Sequence, residues 1–168
     1  MNSIGMKVTK YFKEDKLLIH PLENPALDED CEFAEDPQRL LGKLALQIER
    51  IPKEREIIIV DAITNLASYC PDSVILRFFS SCKRLCNDKR TIILSAHSYA
   101  FDEKMLVRFR DLCDAHISLG IETIANKTAT MLEVSKAHNA KLNRDNTVAL
   151  EVVPGVGMNP LPFNKVRA

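Results

Sequence analysis

The chain has 168 residues, 46% of them hydrophobic and 27% charged, which suits one globular domain with its own core over 1–168. Lysine plus arginine matches aspartate plus glutamate at 23 each, with an isoelectric point near 6.9, so no global field draws the chain to nucleic acid or anionic lipid. The longest apolar runs, such as 57–60 and 91–94, fall far short of the roughly 20 residues of a membrane span.

In chain order, 16–20 is a short apolar run closed by Pro21 and predicts a strand, followed by an acidic, proline-containing loop through residue 36. Asp36 before Pro37 signals a helix start. Leu40, Leu41, Leu44, Ile48 and Ile51 follow at helical spacing until Pro52. Residues 57–60 are four consecutive β-branched residues ending at Asp61, the pattern of a parallel strand covered on both faces. Pro71, Asp72 and Ser73 open a second helix with apolar positions at Val74, Ile75, Phe78, Phe79, Cys82 and Leu85, closed by Asn87 and Asp88. Residues 91–95 predict another buried strand, Asp102 caps a third helix through Leu112, and 115–121 is extended. This βαβα rhythm predicts an α/β fold with a mainly parallel central sheet. Beyond Gly120 the β-rich segments 130–135 and 147–153 predict an antiparallel hairpin, and Pro154, Gly155 and Gly157 a turn before a last extended piece at 161–166.

The five cysteines, Cys31, Cys70, Cys82, Cys86 and Cys113, are odd in number and contain no C-x-x-C pair, which argues against a disulfide framework. Cys82 and Cys86 stand four apart on a predicted helix, but no second ligand pair at matching spacing completes a metal site. The first ten residues lack the basic-then-apolar pattern of a secretory signal, so a reducing, intracellular setting is expected.

Ligands of an open α/β sheet gather outside the carboxyl ends of its strands, which directs attention to Asp61 and to Ser95-Ala96-His97. An aspartate after an apolar strand can hold magnesium through water beside bound phosphates; it can equally be a helix cap or loop residue. Ser95 and His97 could bond a terminal phosphate or a positioned water, or His97 could be a satisfied loop histidine. Asp102 and Glu103 read as acidic residues stabilising a helix N-terminus. Lys136 could reach a phosphate across a subunit boundary or be solvated. No segment fits a phosphate cradle, G-x-x-x-x-G-K-[ST]; Gly42-Lys43 is followed by Leu44 inside a helix. A basic stripe interleaved with aromatics is absent too, so no nucleic-acid partner is expected.

Taken together, IIIVDAITNL (57–66), FFSSCKRLCNDKRTIILSAHSYAFDE (78–103), RFRDLCDAHISLGIE (108–122), MLEVSKAHNA (131–140) and VVPGVGMNPLPFNKVRA (152–168) resemble the archaellar (archaeal flagellar) motor accessory protein H family. That family belongs to the RecA-like group that also holds the cyanobacterial clock ATPase. The resemblance implies a RecA-like three-layer sandwich with C-terminal antiparallel strands, incomplete at the N-terminus, where the first strand and phosphate loop would precede Met1; residues 5–22 would carry the second core strand. It further implies that Asp61 is the magnesium-site aspartate and that Thr64 lies in the D-x-x-T run behind it. Ser95 and His97 match the strand-end positions facing the terminal phosphate. Lys136 matches the lysine of a K-x-R pair offered to a neighbouring subunit's nucleotide, the arginine falling on His138, a poor substitute for a fixed cation at pH 7.

In the intact family the implied cofactors are ATP and Mg2+. The implied partners are the archaellum motor ATPase, the membrane platform protein and further copies in an oligomer, at a cytoplasmic site on the inner face of the membrane. The expected role is a nucleotide-responsive regulatory or assembly component, with at most weak hydrolysis by this chain. Two alternatives stand beside it: a scaffold that has lost nucleotide binding, and an active RecA-like ATPase if the true start lies upstream. Because the missing strand would lie beside 91–95, the edge at Ile92, Ile93 and Leu94 is expected to be unpaired, making the chain oligomeric or poorly soluble alone.

Overall fold

The computed structural model of the protein describes residues 9–21, 36–124, 127–138, 146–153 and 155–161. These gather into two compact units, one formed by 22–113 and the other by 1–21 with 114–168.

The first described helix of the 22–113 unit, α2 (Pro37–Arg50), forms for local reasons. The Asp36 carboxylate accepts from the Gln38 N–H at 3.0 Å, and Pro37 supplies a preset first turn. Its stripe of Leu41, Leu44 and Ile48 is buried. After β1 (Ile57–Val60) come the single-turn α3 (Thr64–Ala67) and the long α4 (Asp72–Cys86), which buries Ile75, Phe78, Phe79 and Cys82. Strand β2 (Thr91–Leu94) runs parallel to β1, Ile57 facing Thr91 and Val60 facing Leu94. Helix α5 (Glu103–Leu112) starts where the Asp102 carboxylate accepts from the Met105 N–H at 2.7 Å, so Asp102 is the cap itself. Phe109 of α5 stacks on Phe79 of α4, ring centroids 4.3 Å apart.

These helices share one core with Ile58 and Val60 of β1. The opposite face of the sheet differs from the expectation of cover on both sides, since Ile57 and Ile59 are 65% and 66% exposed and Ile93 is 49% exposed. A strand of four β-branched residues carries no mark of which side is covered; strand alternation sends neighbours to opposite faces, and here the core lies on one of them. Among the described residues this parallel sheet has two strands, so the outer edge of β2 pairs with nothing there.

The second unit holds an antiparallel sheet in the order β3 (Ala115–Ile124), β4 (Lys127–Ala137), β5 (Thr147–Val153), β6 (Gly157–Leu161). The hairpin expected between 130–135 and 147–153 is present, with Met131 opposite Ala149. Gly155 and Gly157 take φ of +78° and +101°, the left-handed region where a Cβ is costly, and so close the β5–β6 hairpin.

Two expected strands are corrected. The run 16–20 is not a strand: α1 (Thr9–Lys13) precedes it, and the Lys16 and Leu17 N–H groups fold back onto the Tyr11 carbonyl. Leu18 and Ile19 are exposed. An apolar run specifies burial potential, whereas a strand needs a neighbour to complete its hydrogen bonds. The last strand is 157–161 instead of 161–166, set by its pairing with β5. The greater part of the expected acidic loop, Cys31, Pro154 and 162–168 lie outside the described residues.

Candidate functional site at the strand ends

Parallel pairing brings the ends of β1 and β2 side by side, and the two residues that follow, Asp61 and Ser95, are tied together. The Ser95 N–H donates to the Val60 carbonyl at 3.0 Å, and the Ile63 N–H donates to the Ser95 carbonyl at 3.0 Å. The Ser95 hydroxyl donates in turn to the Asp61 carboxylate. Asp61 itself is exposed, on a loop anchored by Ile63, which is wholly buried.

Thr64, first residue of α3, is buried, and its hydroxyl oxygen accepts the His97 N–H at 2.9 Å. The loops after the two strands are therefore stitched at two levels, Asp61 to Ser95 and Thr64 to His97. The imidazole of His97 is exposed and lies against the ring of Tyr99, centroids 5.3 Å apart with planes 24° from parallel. A carboxylate, a hydroxyl and an imidazole thus share one sheet end on a rigid base, a grouping that can meet a hydrated cation and the oxygens of an anion beside it.

That donor set suits magnesium held through water. A small, hard cation keeps several waters and takes one or two carboxylates with phosphate oxygens instead of a full protein cage. Asp61 would supply the carboxylate, which the Ser95 hydroxyl holds by a hydrogen bond. Among the described residues no three His, Cys, Asp or Glu side chains gather as a metal cluster. Burial, followed by the neighbouring Cys86 and Cys113 thiols, pushes the Cys82 thiol up to about 12.

Lys136 and His138 belong to the other unit. Lys136 lies on β4 opposite His116 of β3, and the His138 N–H donates to the Asp114 carbonyl at 2.7 Å. The His116 ring nitrogen Nδ1 lies 2.6 Å from the Ser135 hydroxyl, a pair that spacing alone does not indicate. Two further features escaped sequence reasoning: the anchoring of His97 by Thr64, and the stack of Tyr99 on His97. An exposed tyrosine two positions past a strand-end histidine was the available signal for the stack.

Comparison with known proteins places these features in context. No family model matches the chain. It is 25% identical over all 168 residues to the archaeal flagellar ATP-binding protein FlaH of Sulfolobus acidocaldarius, spanning 71% of that protein. Among solved structures, the flagellar accessory protein FlaH of Methanocaldococcus jannaschii superposes with a TM-score of 0.75 at 21% identity, over 96% of this chain and 69% of that one. A KaiC-like protein of Pyrococcus horikoshii gives a TM-score of 0.68 at 17% identity, over 96% and 68%. The similarity suggested by the ordered segments therefore extends over the whole chain, which resembles the FlaH proteins and shares the α/β fold of the FlaH and KaiC-like structures.

Proposed function

We propose that this chain is a nucleotide-responsive component of an archaeal flagellar motor, contributing the magnesium and terminal-phosphate side of an ATP site. The observation that carries this reading is the stitched constellation of Asp61, Thr64, Ser95 and His97 at the ends of two adjacent parallel strands. The Sulfolobus relative is known as an ATP-binding protein. A magnesium ion held there would offset the charge of bound phosphate. Asp61 would orient the ion's water shell, Ser95 holds that carboxylate by its hydroxyl, and His97 would distinguish a terminal phosphate from its absence. Such a site works as a switch, shifting the population of a binding-competent state, and turnover is not required of it.

We further propose that residues 1–168 act as one RecA-like domain, associate with further copies, and dock on the motor ATPase and membrane platform from the cytoplasmic side. Among the described residues no helix is long and apolar enough to cross a membrane. Lys136 and His138 are the groups we assign to a neighbouring subunit's nucleotide; a histidine in place of the planar, five-donor guanidinium of arginine supports slow or absent hydrolysis.

One observation favours a second reading, an interaction scaffold without nucleotide: Asp61 with Ser95, and Thr64 with His97, are bonded to one another and so can serve simply to tie the two loops together. Titration with a fluorescent ATP analogue separates the two. Micromolar binding that needs magnesium and weakens at least tenfold in Asp61→Ala, about 1.4 kcal/mol, is expected for the switch. Absence of saturable binding leaves the scaffold. Steady-state phosphate release much faster than analogue exchange would instead make the chain a turnover enzyme.

A further inference from the structure

We propose that Tyr99 is the positioning residue for His97, holding its imidazole toward the strand ends so that the site distinguishes a nucleoside triphosphate from the diphosphate. The inference rests on the ATP-site reading above and names the device by which that site would sense its ligand.

The argument starts from an imbalance. Tyr99 is 85% exposed, and the hydrophobic effect gives a ring so open little reason to adopt one place. Yet it stacks on His97 at 5.3 Å and 24°, an offset arrangement that aromatic rings favour. Its mount is rigid. The 3-10 turn Ser98–Ala100 is closed by the Ala100 N–H donating to the His97 carbonyl at 3.1 Å and the Phe101 N–H to the Ser98 carbonyl at 3.2 Å. Phe101 then pins the turn to the core, packing edge-on against Phe109 with centroids 5.1 Å apart.

His97 is fixed on the other side, its N–H bonded to the buried Thr64 hydroxyl. The backbone on both sides of the imidazole is therefore held, leaving the side-chain rotamers as its freedom. Tyr99 stacks on one face of the ring and restricts that freedom, while His97 as a whole stays exposed. An exposed histidine otherwise samples several staggered rotamers, and each lost alternative weakens a directional bond to an anion less. The stack thus preorganises one contact, and it matters only where a terminal phosphate is present to receive it.

The chain has four histidines, so the His97 ring protons are assignable in a proton NMR spectrum by comparison with His97→Ala. In the unsubstituted chain these protons are expected upfield, shifted by the tyrosine ring, and to move downfield in Tyr99→Ala but not in Tyr99→Phe. The Kd ratio of ADP to ATP, measured with magnesium, is expected to fall about three- to tenfold in Tyr99→Ala, to be retained in Tyr99→Phe, and to be insensitive to Tyr99→Ala once His97 is already alanine. Unshifted His97 protons would overturn the stack directly. Normal ATP binding with an unchanged ratio in Tyr99→Ala overturns the role of Tyr99 alone, as does equal weakening of ATP and ADP. No magnesium-dependent ATP binding by the unsubstituted chain overturns the ATP-site reading, and this inference falls with it.

Discussion

Arg90 is 7% exposed, an unusual place for a guanidinium, and its partners explain it. It donates to the Ile48 carbonyl at 3.1 Å and the Ile51 carbonyl at 2.6 Å, satisfying the C-terminal end of α2 from 39 and 42 positions away. Arg90→Ala removes both guanidinium bonds, although the Ile48 carbonyl still accepts the Ile51 N–H at 3.3 Å, and is expected to cost about 2 kcal/mol, read as a lower urea midpoint. Arg90→Lys should recover part of this, because one ammonium cannot reproduce the fork. Cys82 makes a different residue-scale statement. Its thiol is pushed from an ordinary 9.0 up to about 12, first by burial and then by the Cys86 and Cys113 thiols. A thiol that titrates higher in the folded chain stabilises the fold fully below about pH 9, and that contribution is lost as the pH climbs from 9 toward 12. Stability against urea should therefore decline over that window, less so in Cys82→Ala. At pH 8 Cys82 should be the slowest of the described cysteines to react with a thiolate-directed label, and unfolding should abolish its protection. Neither residue was visible in its role from sequence, since both depend on partners brought near by folding.

Among the elements, those whose boundaries rest on local chemistry were legible. Asp36 with Pro37, and Asp102 three residues before Met105, write the starts of α2 and α5 into adjacent residues, and the structure shows both carboxylates accepting the expected N–H groups. The run 16–20 was misread because pairing is not a local property, and so was the exposed side of β1. The candidate site lies between these cases. Asp61 and Ser95 each ended an apolar run, so each was recognisable; that they touch follows only from the parallel register of β1 and β2. At the same scale, α4 and α5 are joined by the stack of Phe79 on Phe109, with Phe78 edge-on to Phe79 at 6.0 Å. Phe109 is 5% exposed. Phe109→Ala should lower stability by about 3–5 kcal/mol in urea unfolding, through lost burial and the cavity left behind. Phe109→Leu, nearer in volume, should cost less than about 1.5 kcal/mol. Equal losses in the two variants would mean that the stack geometry, and not the filled volume, carries the packing.

At the scale of the whole molecule, the balance of charge leaves little long-range repulsion to keep copies apart, 23 cationic side chains facing 23 anionic ones. Each unit also carries a strand at an unpaired edge among the described residues, β2 in one and β3 in the other. Such edges offer ready N–H and C=O groups to another chain. Beside the β2 edge, Ile57, Ile59 and Ile93 expose an apolar face, and β3 exposes Ile117, Leu119 and Ile121 at alternate positions of one face. Burial of apolar surface is the main driving force for association, and neither strand carries a lysine, arginine or proline to blunt it. The purified chain is therefore expected to form oligomers or aggregates that grow with concentration in multi-angle light scattering. Replacing Ile59 and Ile93 together by lysine places two charges on the exposed side of the parallel sheet while leaving the buried Ile58 and Val60 untouched, and should shift the distribution toward the 19.0 kDa monomer. If the double variant associates as before, and Ile117→Lys with Leu119→Lys restores the monomer instead, the β3 face is the one that drives assembly. A monodisperse monomer from the unsubstituted chain across the same concentrations would contradict both surfaces and leave the proposed oligomer without a driving force.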